Sequence, residues 1–145
     1  MLSDTETAVS VSYLVSLDDT DLGAFSTCEG LGVEVVMETR EEGGNNNFVW
    51  QLPSRLKYPN IKLSRPLGKD SEKVVRLFAT LTAGYAPSTG TITAMTANGT
   101  HIATWSLLDV IPVRWSGPSL NSDQAKVVME TVEIAHHGFM AGPQS

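Results

Sequence analysis

The residues able to carry covalent chemistry are few and poorly spaced for it. The 145-residue sequence holds one cysteine, Cys28, and three histidines. A cysteine nucleophile needs a neighbouring base or cation that lowers its pKa, and nothing in the sequence places a histidine beside Cys28. A single cysteine also forms no internal disulfide, which fits folding in a reducing compartment. We therefore interpret Cys28 as a buried or inert thiol.

The candidate metal ligands do not form a site either. His136 and His137 are adjacent, so on a strand they point to opposite faces, and His101 lies far away in the sequence. No zinc-type spacing of cysteine and histidine occurs. The turn "DDTDLG", 18–23, has three aspartates but lacks the later ligands and closing glutamate of a calcium loop. We expect no metal and interpret the histidines as surface or interface residues.

Other catalytic and nucleotide-binding motifs are missing from the sequence. It has no G-x-S-x-G elbow, and "EEGGNNN", 41–47, is neither a GxGxxG nor a Walker A loop. The three tryptophans are scattered and are not interleaved with basic residues, as a base-stacking surface would require. We expect no catalytic residue, no cofactor and no enzyme. A hydrolase with an unmarked pair of carboxylates is the remaining enzymatic alternative.

Composition indicates one globular domain. Hydrophobic residues make up 41% of the chain and charged residues 18%, and the net charge is −6, from 16 acids and 10 bases. An acidic chain is poorly suited to phosphate backbones and anionic membranes, so we expect neither sequence-specific nucleic-acid binding nor membrane insertion. The N-terminal sequence "MLSDTETAVS" shows no signal-peptide pattern.

Periodicity predicts a mainly β fold, a β-sandwich or small barrel of about six to seven strands. Alternation predicts strands at 9–17, 31–41 and 60–65, with a turn at 18–23. Asn98-Gly99 predicts a type I′ hairpin turn that pairs 92–97 with 100–105. Pro112 is expected to interrupt the strand that follows.

One helix is predicted, at about 71–83. Val74, Leu77, Phe78 and Leu81 have helical spacing, and Asp70 or Ser71 can cap the start. The last segment, 125–139, fits either a helix or a two-sided strand, and its valine, threonine and isoleucine content favours the strand.

The stretch "REEGGNNNFVWQLP", 40–53, predicts a long inter-strand loop with a short extended piece near 48–52. Its first half is charged and rich in glycine and asparagine, and its second half is strongly apolar. On a monomer such a segment exposes apolar side chains to water. This favours an assembly protein over an enzyme, with a monomeric β-sandwich binding module as the alternative that uses the loop to grip a ligand.

Several ordered fragments resemble the inner-tube proteins of contractile tails, the family of contractile phage tail tubes and of the tubes of phage-like injection systems. The N-terminal matches are a G-x-F turn, an x-G-L strand entry, an R-E-G-G-N type loop and an L-P-x-x-x-K-Y-x-N-I-x-L stretch. They fall on Gly23, Phe25, Gly30, Leu31, Arg40–Asn45, Leu52, Pro53, Lys57, Tyr58, Asn60, Ile61 and Leu63.

The C-terminal part is similar to the family's W-x-L, P-x-x-W-x-G-P-x-L-N and E-x-x-E-I-x-H-x-G-F runs. The matches are Trp105, Leu107, Pro112, Trp115, Gly117, Pro118, Leu120, Asn121, Glu130, Glu133, Ile134, His136, Gly138 and Phe139. One region departs from the family pattern, since "LSRPLGKDSEKVVRLFATL" inserts Pro66 and lacks a tryptophan.

The resemblance implies a tail-tube fold over 9–139, with an N-terminal segment 1–8 and a tail 140–145. It implies six-membered rings that stack head-to-tail into a hollow tube, whose lumen is a continuous β-barrel and which sheath contraction drives through a target envelope. It implies as partners the contractile sheath, baseplate and tube-cap proteins, tube paralogues and a cargo effector in the lumen. The tail tube of a phage virion that conducts DNA is the alternative reading.

The resemblance also implies that the last segment is a strand, and that the particle is assembled in the bacterial cytoplasm before any release outside the cell. The predicted ring-interface residues are those of the loop, its apolar exit and the following tyrosine. They are Arg40, Glu41, Glu42, Gly43, Gly44, Asn45, Asn46, Asn47, Phe48, Trp50, Leu52, Pro53 and Tyr58.

Overall fold

A computed structural model describes residues 10–18, 20–41, 49–80, 84, 88–117 and 128–140, and of residues 40, 41, 49 and 50 it describes the backbone alone. Strands dominate the described chain, and a single helix follows the sixth strand. The elements are β1 (Val11–Leu17), β2 (Thr20–Phe25), β3 (Thr27–Glu29), β4 (Glu34–Glu41), β5 (Val49–Lys57), β6 (Ile61–Pro66), α1 (Ser71–Thr80), β7 (Ser88–Thr96), β8 (His101–Ser116) and β9 (Met129–Ala135).

Seven strands form one antiparallel sheet in the order β2-β1-β7-β8-β9-β6-β3, and β4 pairs with β5 alone. The long strand β8 divides the sheet. Its first part pairs with β7 and its last part, 111–116, pairs with β9. We call β2, β1, β7 and residues 101–108 of β8 half-sheet A. Half-sheet B consists of residues 111–116 of β8 together with β9, β6 and β3.

The core lies between the two halves of the curled sheet. Alternate residues point inward, so Val15 and Ile92 of half-sheet A and Leu63 and Val132 of half-sheet B are buried in one cluster. Val74 of α1 belongs to the same cluster, which places the helix against the core. The predicted alternation of β1 is confirmed over its described residues.

The sheet curls without closing into a barrel. The amide of Ser26, between β2 and β3, donates to the carbonyl of Ser64 on β6 at 2.7 Å, so the two ends of the strand order come close together. The predicted class, mainly β with one packed helix, is confirmed. The described residues form nine strands, more than the six to seven predicted, because the segment after β1 and the segment before Tyr58 are both extended.

Three local predictions were wrong. The turn predicted at 18–23 is short, since β2 begins at Thr20. Pro112 does not end β8; it lies beside a register shift where pairing with β7 has already stopped, a position that tolerates the missing N–H.

The hairpin at Asn98 exists, but only Gly99 has a positive φ (91°), and Gly99 N–H donates to the Thr96 carbonyl at 3.0 Å. This is a three-residue loop rather than a type I′ turn, which needs two positive φ angles.

The predicted helix is confirmed over Ser71–Thr80, and residues 81–83 lie outside the described residues. Val74 is buried, and Leu77 and Phe78 pack against the core as half-buried residues. The Ser71 hydroxyl accepts from the Gly68 amide at 3.1 Å, upstream of the helix, instead of capping it. The strand favoured for the last segment is confirmed as β9.

Candidate assembly surfaces

The described residues on either side of the predicted loop belong to a hairpin of β4 and β5, and residues 42–48 lie outside the described residues. We call these two strands, with Val33 at their base, the arm. The strands pair antiparallel from Glu34 opposite Lys57 to Glu41 opposite Val49, with a register shift between Val36 and Met37. The short extended piece predicted near 48–52 is confirmed from Val49 onward, and it continues as β5 to Lys57, farther than predicted. Its Pro53 sits next to the irregular pairing, where a missing N–H is tolerated.

One face of the arm is apolar and exposed. Val35 lies opposite Leu56, and Met37 lies opposite Pro53. The exposed fractions are 55% for Val33, 47% for Val35, 45% for Met37 and 55% for Leu56. We call these four side chains together with Pro53 the apolar arm face. The other face carries Glu34 beside Lys57, and Glu38 beside Leu52.

The arm has no extensive packing partner in the described chain. Its two strands pack on each other and on no other element to a comparable extent. An isolated two-stranded hairpin is marginally stable in water, and an exposed apolar strand pair is prone to associate. The apolar arm face therefore needs a partner outside the described part of this chain.

An aromatic cluster fixes the root of the arm. Tyr58, which directly follows β5, has its ring 5.4 Å from His136 and 5.8 Å from Phe139. Gly138 has φ 126°, and a side chain there would come within 3.0 Å of the Tyr58 ring. The half-buried Tyr58 thus packs within its own chain.

His136 is a buried member of this cluster. Its Nδ1 accepts from the Gly138 amide at 3.1 Å, and Nε2 is buried with no hydrogen-bond partner among the described residues. Burial lowers the pKa of His136, the Gly138 carbonyl 3.4 Å from Nδ1 opposes this, and His137 lowers the pKa further. His136 is therefore a neutral packing residue, which corrects its interpretation as a surface or interface residue, whereas His137 is exposed.

A buried ionic network holds α1 to the sheet. Glu130 is fully buried and accepts from Arg65 at 2.7 Å, from Ser71 at 2.6 Å and from the Trp115 indole at 2.8 Å. Burial alone raises the pKa of Glu130, but the hydrogen bonds from Ser71, Trp115 and Arg65 and the charge of Arg65 outweigh it, so the pKa is lowered. Glu130 is thus an ionised structural residue bound from three elements.

Arg65 extends the network to β2. Its guanidinium donates to the carbonyls of Leu22 and Asp70 and lies 4.1 Å from the centre of the Phe25 ring. Sequence reasoning missed this network. The signal was present, because Glu130 falls in the same alternating set as Val132 and points to the core, where a lone carboxylate needs a partner.

The predicted interface residues fall into three groups. Glu42–Phe48 lie outside the described residues. The backbones of Arg40 and Trp50 pair with each other near the end of the arm, and Glu41 follows. Leu52 and Pro53 are exposed on the arm, on opposite faces, and Tyr58 is at its root. The described members other than Tyr58 thus lie on the arm, and their role in an interface stays a prediction.

The remaining candidate residues show no site chemistry. Cys28 is half-buried on β3, and burial, followed by the charge of Glu29, raises its pKa to about 11. The described residues contain no group of three side chains able to hold a metal ion. No helix in the described ranges is long and apolar enough to cross a membrane.

The sequence as a whole was compared with known families and structures. The family described as T4-like virus tail tube protein gp19 matches residues 9–140. The chain belongs to this tail tube family. The family match covers β1 to β9, including the arm, the helix and the aromatic cluster. No individual curated protein matches the chain.

Solved structures show the same tail tube fold. A chain in the cryo-EM structure of the anti-feeding prophage baseplate, 6-fold symmetrised, is 19% identical with a TM-score of 0.74, and the match covers 92% of both chains. A chain of the sheath-tube complex of an extracellular contractile injection system is 16% identical with a TM-score of 0.73, covering 88% of this chain and 86% of that one. A chain of the anti-feeding prophage tube terminating cap is 19% identical with a TM-score of 0.63, covering 84% and 81%.

Proposed function

We propose that the chain is a structural subunit of the inner tube of a contractile injection system. Copies form six-membered rings that stack into a hollow tube, and contraction of a surrounding sheath drives the tube forward. Membership of the tail tube family supports the tube role. The fold shared with chains of a 6-fold symmetrised baseplate and of a sheath-tube complex supports the ring and the contractile machine.

The arm is the observation that carries this proposal. Its apolar face exposes about half of each of several aliphatic side chains, and the arm packs extensively on no other element of the described chain. A second copy of the chain is the partner that covers it. The contact between copies is head-to-tail, because the arm of one copy meets a different surface on the next, and such contacts close only in a ring or stack.

The further partners follow from the same architecture. The sheath surrounds the tube, the baseplate and a cap terminate it, tube paralogues contribute additional rings, and a cargo effector occupies the bore. The particle is assembled in the bacterial cytoplasm and released as a whole. The structural neighbours come from a sheath-tube complex, a baseplate and a tube terminating cap, which supports the sheath, baseplate and cap as partners.

A phage virion tail tube that conducts DNA is the second candidate, favoured by the viral name of the family. The two candidates share the tube and differ in the particle. A sheath, a baseplate and an ATPase encoded beside this chain support the injection system, and capsid and terminase genes support the phage.

The test is assembly by an arm variant. Val35→Asp with Leu56→Asp places two charges on the apolar arm face, and we expect a folded monomer that forms no rings or tubes in negative-stain microscopy. The matched control, Glu34→Gln with Lys57→Gln, changes a cross-strand pair on the opposite face of the arm and is expected to assemble like the wild type. Normal tubes from the aspartate variant would show that the apolar arm face is not an assembly contact.

A further inference from the structure

One histidine joins the root of the arm to the sheet. Residues 136–140 follow β9 and run beside β8, where the amide of Leu108 donates to the Gly138 carbonyl at 2.9 Å. We call residues 136–140 the C-terminal segment. The ring of His136 lies against Tyr58 at the root of the arm, with 5.4 Å between the ring centres. His136 therefore contacts the arm's root from a segment that is itself hydrogen-bonded to the sheet.

The His136 site is built for the neutral imidazole. Nδ1 accepts from the Gly138 amide at 3.1 Å, and only 5% of the residue is exposed. A neutral imidazole that accepts at one ring nitrogen carries its proton on the other, so Nε2 is an N–H donor. Nε2 is buried and has no hydrogen-bond partner among the described residues. The site thus supplies the donor that the neutral ring needs at Nδ1 and no acceptor at Nε2.

The same hydrogen bond lies in the turn on which Tyr58 rests. Gly138 has φ 126°, and a Cβ added there would come 3.0 Å from the Tyr58 ring. The Tyr58 ring therefore packs directly on the Gly138 backbone. The ring of Phe139 completes the cluster, 5.2 Å from His136 and 5.8 Å from Tyr58. A change in the bond between His136 and the Gly138 amide alters the surface that holds Tyr58.

The surroundings of His136 offer a positive charge little compensation. Among the described residues no carboxylate lies within ion-pair distance of His136. The titratable groups beside it are the Tyr58 hydroxyl and His137, and His137 is exposed, 3.2 Å from Asp109. The Gly138 carbonyl, 3.4 Å from Nδ1, is the one recorded acceptor near the ring. An imidazolium here would carry two N–H donors with a single long contact between them.

Protonation of His136 therefore disfavours the packed cluster. Nδ1 becomes a donor, so the Gly138 amide loses its acceptor and a cation is enclosed beside aromatic rings. Burial lowers the pKa of the enclosed ring, whereas a ring released into water has the ordinary value of 6.5. The released state is thus favoured as the pH falls below about 6.5. Its ratio to the packed state rises by up to about tenfold for each unit of pH.

We infer that His136 is an acid-sensitive latch that holds Tyr58 on the C-terminal segment while its ring is neutral and frees Tyr58 when the ring takes up a proton. The domain itself stays closed, because Ile61 is fully buried and the Asn60 amide donates to Glu133 at 2.8 Å. Release lets the arm change its direction relative to the sheet. The consequence rests on the proposed function: an arm in a different direction no longer meets the next copy, so tubes come apart in mild acid.

Assembled tubes test this consequence. Tubes formed at about pH 8 are moved to buffers down to about pH 5, and the protein remaining in tubes is measured by sedimentation and negative-stain microscopy. We expect wild-type tubes to come apart below about pH 6.5 while circular dichroism shows an unchanged fold. We expect His136→Gln tubes to persist, since the glutamine oxygen can accept from the Gly138 amide and takes up no proton. His101→Gln and His137→Gln, at exposed histidines, are the controls and are expected to respond like the wild type.

Three results would overturn the latch. Wild-type tubes that persist at about pH 5 would show that acid does not release the arm. Equal disassembly of wild-type and His136→Gln tubes would show that another group responds. Protection by His137→Gln instead of His136→Gln would assign the response to the exposed histidine.

A second measurement needs neither tubes nor a variant of His136. In the unassembled full chain with Val35→Asp and Leu56→Asp, NMR follows the imidazole signals of His136 and the ring signals of Tyr58 during an acid titration. We expect both to change with one midpoint below pH 6.5, while the methyl signals of Ile61 stay unchanged. Tyr58 signals that do not follow His136, or Ile61 signals that change with it, overturn the latch. Failure of the wild type to form tubes at pH 8 contradicts the proposed function, and this titration then decides the latch separately.

Discussion

Val35 and Leu56 face each other across the arm, and 47% and 55% of their surfaces are exposed to solvent. Nothing in the described chain covers this pair. The core between the two half-sheets, by contrast, buries Val15, Ile92, Leu63 and Val132 almost completely. The core side chains are thus buried, whereas the side chains of the apolar arm face are exposed. A lone domain does not explain this difference, but an assembled tube does, because a second copy covers the arm.

The buried network predicts a large effect on stability at Arg65. Arg65→Met removes the cation and leaves the fully buried Glu130 without its charged partner, so we expect the free energy of unfolding to fall by about 3–5 kcal/mol. Urea unfolding of the unassembled protein measures it. The control is Arg76→Met, whose pair with Glu72 is largely exposed and contributes at most about 1 kcal/mol. Equal effects of the two variants would show that the network does not anchor the helix.

The cluster at the root of the arm predicts acid sensitivity. The pKa of His136 is lowered from its ordinary value of 6.5, so the unfolded chain takes up this proton at a higher pH than the folded chain does. The free energy of unfolding therefore decreases as the pH falls below about 6.5. We expect His136→Gln to make the free energy of unfolding depend less steeply on pH in this range. The substitution His101→Gln, at an exposed histidine, is expected to leave the pH dependence unchanged. If His136→Gln showed the same pH dependence of the free energy of unfolding as the wild type, the assignment of a neutral buried imidazole would be contradicted.

Glu130 predicts a second loss at lower pH. Because its folded pKa lies below the ordinary value of 4.5, its contribution to stability is complete above that pH and is lost as the pH falls through the folded pKa. We expect Glu130→Gln to be less stable than the wild type at neutral pH and to lose less stability on acidification. The free energy of unfolding of both proteins, measured from pH 5 downward, tests this. An equal loss of stability on acidification in both proteins would contradict it.

A close backbone approach predicts that Gly30 is intolerant of substitution. Gly30 has φ 98°, and an added Cβ would lie 2.2 Å from the carbonyl oxygen of Asn60. We expect Gly30→Ala to lower the free energy of unfolding by at least about 1–2 kcal/mol, the cost of a left-handed conformation for a residue with a side chain. Gly32→Ala is the matched control, since no atom lies within 4 Å of the corresponding position. Thermal unfolding measures the effect. If both variants lowered the unfolding temperature equally, the close approach of Gly30 to the Asn60 carbonyl would be contradicted.

Much of the fold was predictable because alternation is a direct consequence of one-sided burial. The pattern in β1 and β9, and the helical spacing that includes Val74, follow from which residues face one core. Turn details were less predictable. Asn98-Gly99 satisfies the sequence preference of a two-residue turn, yet the register of β7 with β8 sets a three-residue loop.

The assembly surfaces were predictable only in part. The excess of apolar residues around 48–52 indicated an unpartnered segment, but strand pairing within the arm depends on the register between 34–41 and 49–57, which no local pattern specifies. The Glu130 network depends on contacts among β6, α1, β8 and β9, whose residues are far apart in sequence. Such contacts follow from topology rather than from spacing along the chain.

Electron microscopy of the purified full chain over a range of concentrations, alone and with its baseplate partners, tests the tube role most directly. The account predicts rings or tubes with an axial bore and six-fold symmetry, and their loss in Val35→Asp with Leu56→Asp while Glu34→Gln with Lys57→Gln still assembles. A wild-type protein that remains a folded monomer at every concentration and enters no tube with any partner would contradict it.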